Sequence, residues 1–344
     1  MSSRFFDRLA TTTFGRILAD LVNPSYRTVR LQNVRRVSQP LVLVSEIQRS
    51  GGTLFSQLFD GHPQLFAHPH ELMWGRPDKE HWPDLRRGGE GFKPGLFRLL
   101  DQEWLVKHPR GVYRKGSRSE SYPFIFDFHL QRALFKAVIE ETPPRRQREV
   151  LEAYLTSFFG AWVDLQGAYA QEKRAVTAFT PRVNMVQESL KRYFDDYPDG
   201  HLITCVRDPA GWYASVVRHH YLERYGSLDG VMEQWAASTR ASLEALTTYG
   251  ERVILVVFDD LVLRTAAVME TICGRIGLDF DPILLKPTFN TMPIMSNSNF
   301  RSVDFIDPEV VGRWSQVLDP ADVTAIRALT DALYMEALDR SILA

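Results

Sequence analysis

The chain has 344 residues, with 41 Lys+Arg against 42 Asp+Glu and a formal net charge of -1. Near-neutrality excludes a protein that coats nucleic acid, because counterion release needs a surplus of basic charge. A hydrophobic fraction of 44% with 24% charged residues excludes global disorder. Eight of the cations are Lys, which leaves 33 Arg, so any anion is bound locally and mostly by guanidinium. The two cysteines, Cys205 and Cys273, cannot build a disulfide framework, and a reducing, cytoplasmic setting is expected. No run of about 18 apolar residues is present to span a membrane.

Residues 1–36 carry seven Arg and two Asp, with Phe6, Leu9, Ile17, Leu18 and Leu21 at roughly helical spacing. A membrane-surface helix, a transit peptide and an amphipathic helix packed on the body of the chain all give this pattern. Peripheral membrane contact through this arm is therefore left open. Residues 37–344 read as a single α/β domain. Its candidate buried strands are Leu41–Val44, Ala175–Phe179, Leu202–Val206 and Val253–Phe258, each a short apolar run without a polar face. Helical stretches fall between them at roughly 53–60, 149–170, 184–194, 210–223 and 229–248. Strands alternating with helices predict a parallel sheet with helices on both faces. Residues 73–148, rich in Pro, Gly, Trp, Phe and Arg, contain no clean parallel strand. They read as an irregular or helical insertion on the acceptor side, where aromatics such as Trp74, Trp82, Trp104 and Tyr113 either stack on a substrate or pack the insertion. Asp307 to Leu343 reads as two helices broken at Asp319-Pro320.

The segment Gln48-Arg49-Ser50-Gly51-Gly52-Thr53-Leu54 follows the first strand and opens a helix whose apolar face is Leu54, Phe55, Leu58 and Phe59. A strand, a glycine turn and a helix N-terminus form an anion cradle, in which unpaired N–H groups and the helix dipole favour negative charge. Gly51 and Gly52 allow close approach of phosphate, Thr53 adds a hydroxyl donor, and Arg49 a permanent planar charge. This is not Walker A, since no Lys stands between Gly52 and Thr53. A second block, Ile203-Thr204-Cys205-Val206-Arg207-Asp208-Pro209, delivers Arg207 at a strand end, with Ser215 about two turns into the next helix. The two can pinch one phosphate, while Asp208 and Pro209 supply the cap and first position of that helix.

The paired blocks resemble the sulfotransferases that use 3′-phosphoadenosine 5′-phosphosulfate (PAPS). Residues 48–54, followed by Leu58-Phe59-Asp60-Gly61-His62-Pro63, are similar to the 5′-phosphosulfate loop of carbohydrate- and tyrosine-type members. Arg207 and Ser215 are similar to the 3′-phosphate site. Asn290 to Phe300, with Asn297 and Ser298, resembles a late loop that folds over the nucleotide. The resemblance spans about 41–72, 174–220 and 250–330. It implies a P-loop-like three-layer α/β fold, PAPS as sulfate donor with its bisphosphate PAP as product, a hydroxyl acceptor (carbohydrate, lipid or small molecule), and no requirement for a metal or for nucleic acid. It also implies that Arg49 and the loop N–H groups stabilise the leaving phosphate.

The general base must come from elsewhere. His70 and Glu71, in Ala67-His68-Pro69-His70-Glu71-Leu72, lie where family members with a carboxylate base place it, and either suits proton removal. His68, His70 and Glu71 could also begin a metal site, but no third spaced ligand completes a motif. One departure stands out. Many relatives carry Lys before Thr-Pro in the middle strand-loop, and this chain has Phe179-Thr180-Pro181-Arg182. Arg49 alone carries the leaving-group role, Arg182 substitutes, or the acceptor chemistry differs. Two alternatives remain: a P-loop kinase or ATPase using Asp259-Asp260 and Mg, and a non-catalytic nucleotide-binding protein. Asp259-Asp260 also reads simply as the N-cap region of a helix over 261–276.

Overall fold

The computed structural model describes residues 24–72, 80–83, 113–114, 121–122, 126–162, 171–219, 226–296, 298, 300–301 and 303–344. They divide into two compact units. One holds residues up to Gln39, 73–76 and 83–171, and the other holds 40–72, 77–82 and 172–344.

In the first unit, helix α1 spans Pro24–Gln32. Within the region expected to be an insertion, Tyr113–Arg114 and Ser121–Tyr122 pair antiparallel, and no parallel strand occurs among its described residues. The helices numbered α3 (Phe128–Glu141) and α4 (Gln147–Ala161) pack together in this unit. Asp127 caps α3 by accepting from the Leu130 N–H at 3.1 Å and also pairs with Arg27. The buried side of α4 is aromatic, with Tyr154, Phe158 and Phe159 against Phe126 and Trp162. This helix ends at Ala161, where Trp162 forms a bridge to Phe126. The rest of the stretch expected to be helical, 163–170, lies outside the described residues.

The second unit is built on a five-stranded sheet, entirely parallel, in the order β2-β3-β1-β4-β5. The strands are β1 (Leu41–Val44), β2 (Leu65–Glu71), β3 (Ala175–Phe179), β4 (His201–Val206) and β5 (Val253–Val257). Alternate side chains divide between the two faces, as a pleated strand requires. Val42, Val44, Ile203, Cys205, Ile254 and Val256 face one core, closed by α2 (Gly52–Leu58), α8 (Phe258–Leu263) and α9 (Thr265–Ile276). Val206 and Leu255 face the other, with residues of α6 (Pro209–Arg218), α7 (Leu228–Tyr249) and α10 (Pro320–Asp339). Helix α5 (Gln187–Asp196) lies between β3 and β4 in the chain. The result is the expected three-layer α/β arrangement, consistent with a P-loop-like fold.

Several details differ from expectation. Strand β2 is additional: its His68, Pro69 and His70 break the apolar pattern, but an edge strand tolerates proline. Helix α6 ends at Arg218, and 220–225 lie outside the described residues. The stretch from Asp307 is not a helix; it forms two single 3₁₀ turns, Pro308–Val310 and Arg313–Gln316, separated by Gly312 at φ 75°. Asp259 and Asp260 stand inside the first turn of α8 rather than capping a helix at 261, because the backbone turns helical at Phe258. At the sheet edge, the Ile342 N–H donates to the Leu255 carbonyl of β5 at 2.9 Å. Among the described residues no helix is long and apolar enough to cross a membrane.

Candidate functional site

Loops leaving β1, β3, β4 and β5 converge on one cavity of about 430 Å³ in the second unit. The C-terminal ends of the strands are tied first. Ser45 N–H donates to Ile203 O, Thr180 N–H to Val44 O, and Arg182 N–H to Glu46 O. A buried polar knot below them joins Ser45, Asn184, Thr204 and Ser242. It satisfies groups that burial would otherwise penalise.

The loop then turns sharply. Arg49 is left-handed at φ 74°, and Gly51 takes φ 119°. Its two carbonyls are held from β4 and α6: Trp212 Nε1–H donates to Gln48 O at 2.8 Å and Arg207 Nη1 to Arg49 O at 3.0 Å. At Gly52 a Cβ would lie 2.1 Å from the Phe179 ring and 2.4 Å from Glu46 Oε1, so this glycine answers to close approach rather than to backbone angle. The Gly52 N–H, first of the open donors of α2, donates to Glu46 Oε1 at 3.0 Å. Burial, opposed by that hydrogen bond and aided by Glu71, pushes the Glu46 carboxyl from 4.5 up to about 8.

Arg49 and Arg207 belong to one basic cluster. Arg49 Nε–H donates to Ser215 Oγ at 3.2 Å, so the residue expected at one phosphate and the hydroxyl expected at the other are in contact. The Arg207 guanidinium lies 4.5 Å from the centre of the Phe258 ring. Burial, then Arg49, lowers it to about 10, so it is charged at neutral pH. Its backbone is fixed by Trp235 Nε1–H donating to Arg207 O. Asp208 caps α6 as expected, accepting from Gly211 N–H at 2.8 Å, and pairs with Arg327 of α10 at 2.6 Å. Asp260 pairs with Arg264. Burial, then Asp208, raises Asp259 to about 6. Among the described residues no His/Cys/Asp/Glu group could hold a metal ion.

Of the residues singled out from the sequence, Arg49, Gly51, Gly52, Thr53, Leu54, Glu71, Arg207, Ser215 and Ser298 all line the cavity. Ser50 does not: it is buried, and its Oγ has no hydrogen-bond partner among the described residues. The backbone of His70 lies in β2, its side chain outside what the structure describes, as is Asn297. Phe179 also lines the cavity, and Arg182 does so while pairing with Glu80 at 3.1 Å. Phe300, the last residue of the expected late loop, lines the cavity too, while sequence reasoning missed Glu46, Phe258, Arg301 and Arg313. A carboxylate within a phosphate-loop pattern is itself anomalous, and that signal could have found Glu46. The two late arginines follow loops without a periodic pattern. Among the described residues, the five basic ones lining the cavity are all Arg.

A sequence profile described as the sulfotransferase family matches residues 40–282. Comparison with curated protein sequences gives no match. Among solved structures, the chain is similar to the sulfotransferase domain from the curacin biosynthetic pathway (17% identity, TM-score 0.47, covering 86% of this chain and 98% of that one). It is also similar to the sulfotransferase domain from the Synechococcus PCC 7002 olefin synthase (18%, TM-score 0.46, 86% and 96%), and to a mouse sulfotransferase complexed with PAP (12%, TM-score 0.38, 93% and 91%). The profile match covers more than half of the chain, from the start of the sheet unit through the segment that follows β5, and on that ground the chain belongs to the sulfotransferase family.

Proposed function

We propose that this sulfotransferase uses PAPS as donor and a hydroxyl compound as acceptor, with Arg49, Arg207 and Ser215 holding the two phosphate groups and Glu71 or His70 as base. The observation that carries the reading is the placing of Arg49, Ser215 and Arg207 together on the same cavity as Glu71. The donor set also fits an anionic nucleotide, since Arg49, Arg182, Arg207, Arg301 and Arg313 all line the cavity. When bound, PAPS supplies the sulfuryl group.

The chain's own residues meet the other demands of in-line transfer. The acceptor oxygen forms a bond to sulfur as the bond from sulfur to the 5′-phosphate oxygen breaks. Glu71, the last residue of β2 and a lining residue of the cavity, would take the hydroxyl proton. Arg49 offers guanidinium donors to the oxygen that gains charge, and Arg182, on the same cavity, offers a second set where Phe179 offers none. The late segment carrying Ser298, Phe300 and Arg301 closes another side of the cavity and would cover the nucleotide.

Isothermal titration with adenosine 3′,5′-bisphosphate in metal-free buffer tests the donor assignment. Binding is expected in the wild type and should weaken at least ~10-fold in Arg49→Ala and Arg207→Ala; absence of metal-independent binding would sink the assignment. Glu71→Gln should retain bisphosphate affinity while losing roughly 10²–10⁴ in turnover. Full turnover in that variant would transfer the base to His70.

A further inference from the structure

Glu46 has no role in the reading above, yet it sits inside the cradle, where an ionised carboxyl would oppose an anionic ligand. It is 1% exposed. Its Oε1 is engaged by the Gly52 N–H, and its buried Oε2 has no hydrogen-bond partner among the described residues. An ionised group so placed would be a buried charge with half its acceptor capacity unmet. A carboxylic acid fits better: one oxygen accepts from Gly52 and the other carries an O–H free to donate. Phe179 packs on the same glycine, so β3 brings no polar group to this side of the cradle.

We propose that Glu46, held on Gly52 as a neutral carboxylic acid, donates its O–H to a phosphate oxygen of the nucleotide bound on the loop. This inference rests on the phosphate reading of that loop. Glu46 is therefore a proton-bearing acid on a cavity whose other donors include arginines, and nucleotide affinity depends on that proton. Burial supplies the means, raising the carboxyl to about 8. The charged and titratable groups around it are Glu71 at the end of β2, Cys205 on β4, Arg49 on its own loop, Arg182 after β3 and Arg207 after β4. Burial pushes the Cys205 thiol well above its ordinary range.

The test is calorimetric titration of the full chain with adenosine 3′,5′-bisphosphate from about pH 7 to 9.5, where the ligand phosphates have already lost their second protons. Affinity should hold near pH 7 and then fall by up to ~10-fold per pH unit, with one proton taken up on binding at about pH 9. Buffer-dependent enthalpies report that proton. Glu46→Gln keeps an acceptor for Gly52 and an N–H donor in place of the O–H. It should bind within ~3-fold of wild type at neutral pH, without the alkaline decline or the proton uptake. Glu46→Leu should weaken binding by ~10-fold at neutral pH.

A pH-independent wild type, a Glu46→Gln variant with the same decline, or a Glu46→Leu variant that binds more tightly would each overturn the proposal. The last would make Glu46 an anionic plug. Absence of bisphosphate binding at every pH, in wild type and variants alike, would overturn the phosphate reading itself.

Discussion

At the scale of single residues, the site is organised by close approach around Gly52. The Phe179 ring and the Glu46 carboxyl both occupy the space that any side chain at position 52 would need. Gly52→Ala should therefore destabilise the fold by about 1–3 kcal/mol through overpacking. Adding Phe179→Leu, which removes the ring atoms in conflict, should recover much of that loss, because the Glu46 carboxyl is the flexible end of its side chain. Urea unfolding of the two single variants and the double variant measures the coupling, and purely additive effects would contradict it. The glycine pair and Arg49 were legible because a strand, a glycine turn and a helix start are written consecutively in the chain. Glu46 was legible only as an anomalous carboxylate in the loop pattern, since its role depends on burial and on Phe179, a residue 133 positions away in sequence. The left-handed Arg49 and Arg182 are likewise invisible to a pattern of residue types, although backbone strain of this kind gathers at functional sites.

At the scale of elements, α6 and β4 form a lever that presents Arg207. The strand end sets its Cα, Trp235 holds its carbonyl, and Asp208 locks the helix start while engaging Arg327 of α10. Asp208→Ala removes both the cap and the partner of Arg327, and should cost about 1–2 kcal/mol of stability. It should also weaken bisphosphate binding, because Arg207 immediately precedes the loosened cap. A variant that loses stability but binds normally would show that Arg207 is held without it. Four of the five strands were readable as apolar runs, since both faces of a covered parallel sheet are apolar. Edge strand β2, interrupted by histidines and a proline, carries no such signature, and neither do the 3₁₀ turns around Gly312. Their conformations are decided by what they pack against.

At the scale of the whole molecule, buried carboxyls link stability to pH. Burial raises Glu46 from 4.5 to about 8 and Asp259 from 3.8 to about 6, and it also raises Asp60, against hydrogen bonds from Thr291, Thr288 and Asn290. Each holds its proton to higher pH in the folded chain than in the unfolded one. Their contribution is therefore complete below the unfolded values and lost as pH climbs through the folded values. Stability from these groups should decline between about pH 4 and 8, and Glu46→Gln should flatten the upper part of the decline. Melting temperatures of wild type and variant should converge near pH 5 and separate towards pH 8, with the variant higher; parallel curves would exclude the linkage. The two-sided core behind this was predictable in outline, because the alternation of strands and helices already demands helices on both faces. The Ile342 amide bonded to Leu255 has a different consequence. It occupies an acceptor on the outermost strand and interrupts the row of backbone groups that a second sheet would use as a template, so the chain carries its own guard against lateral aggregation.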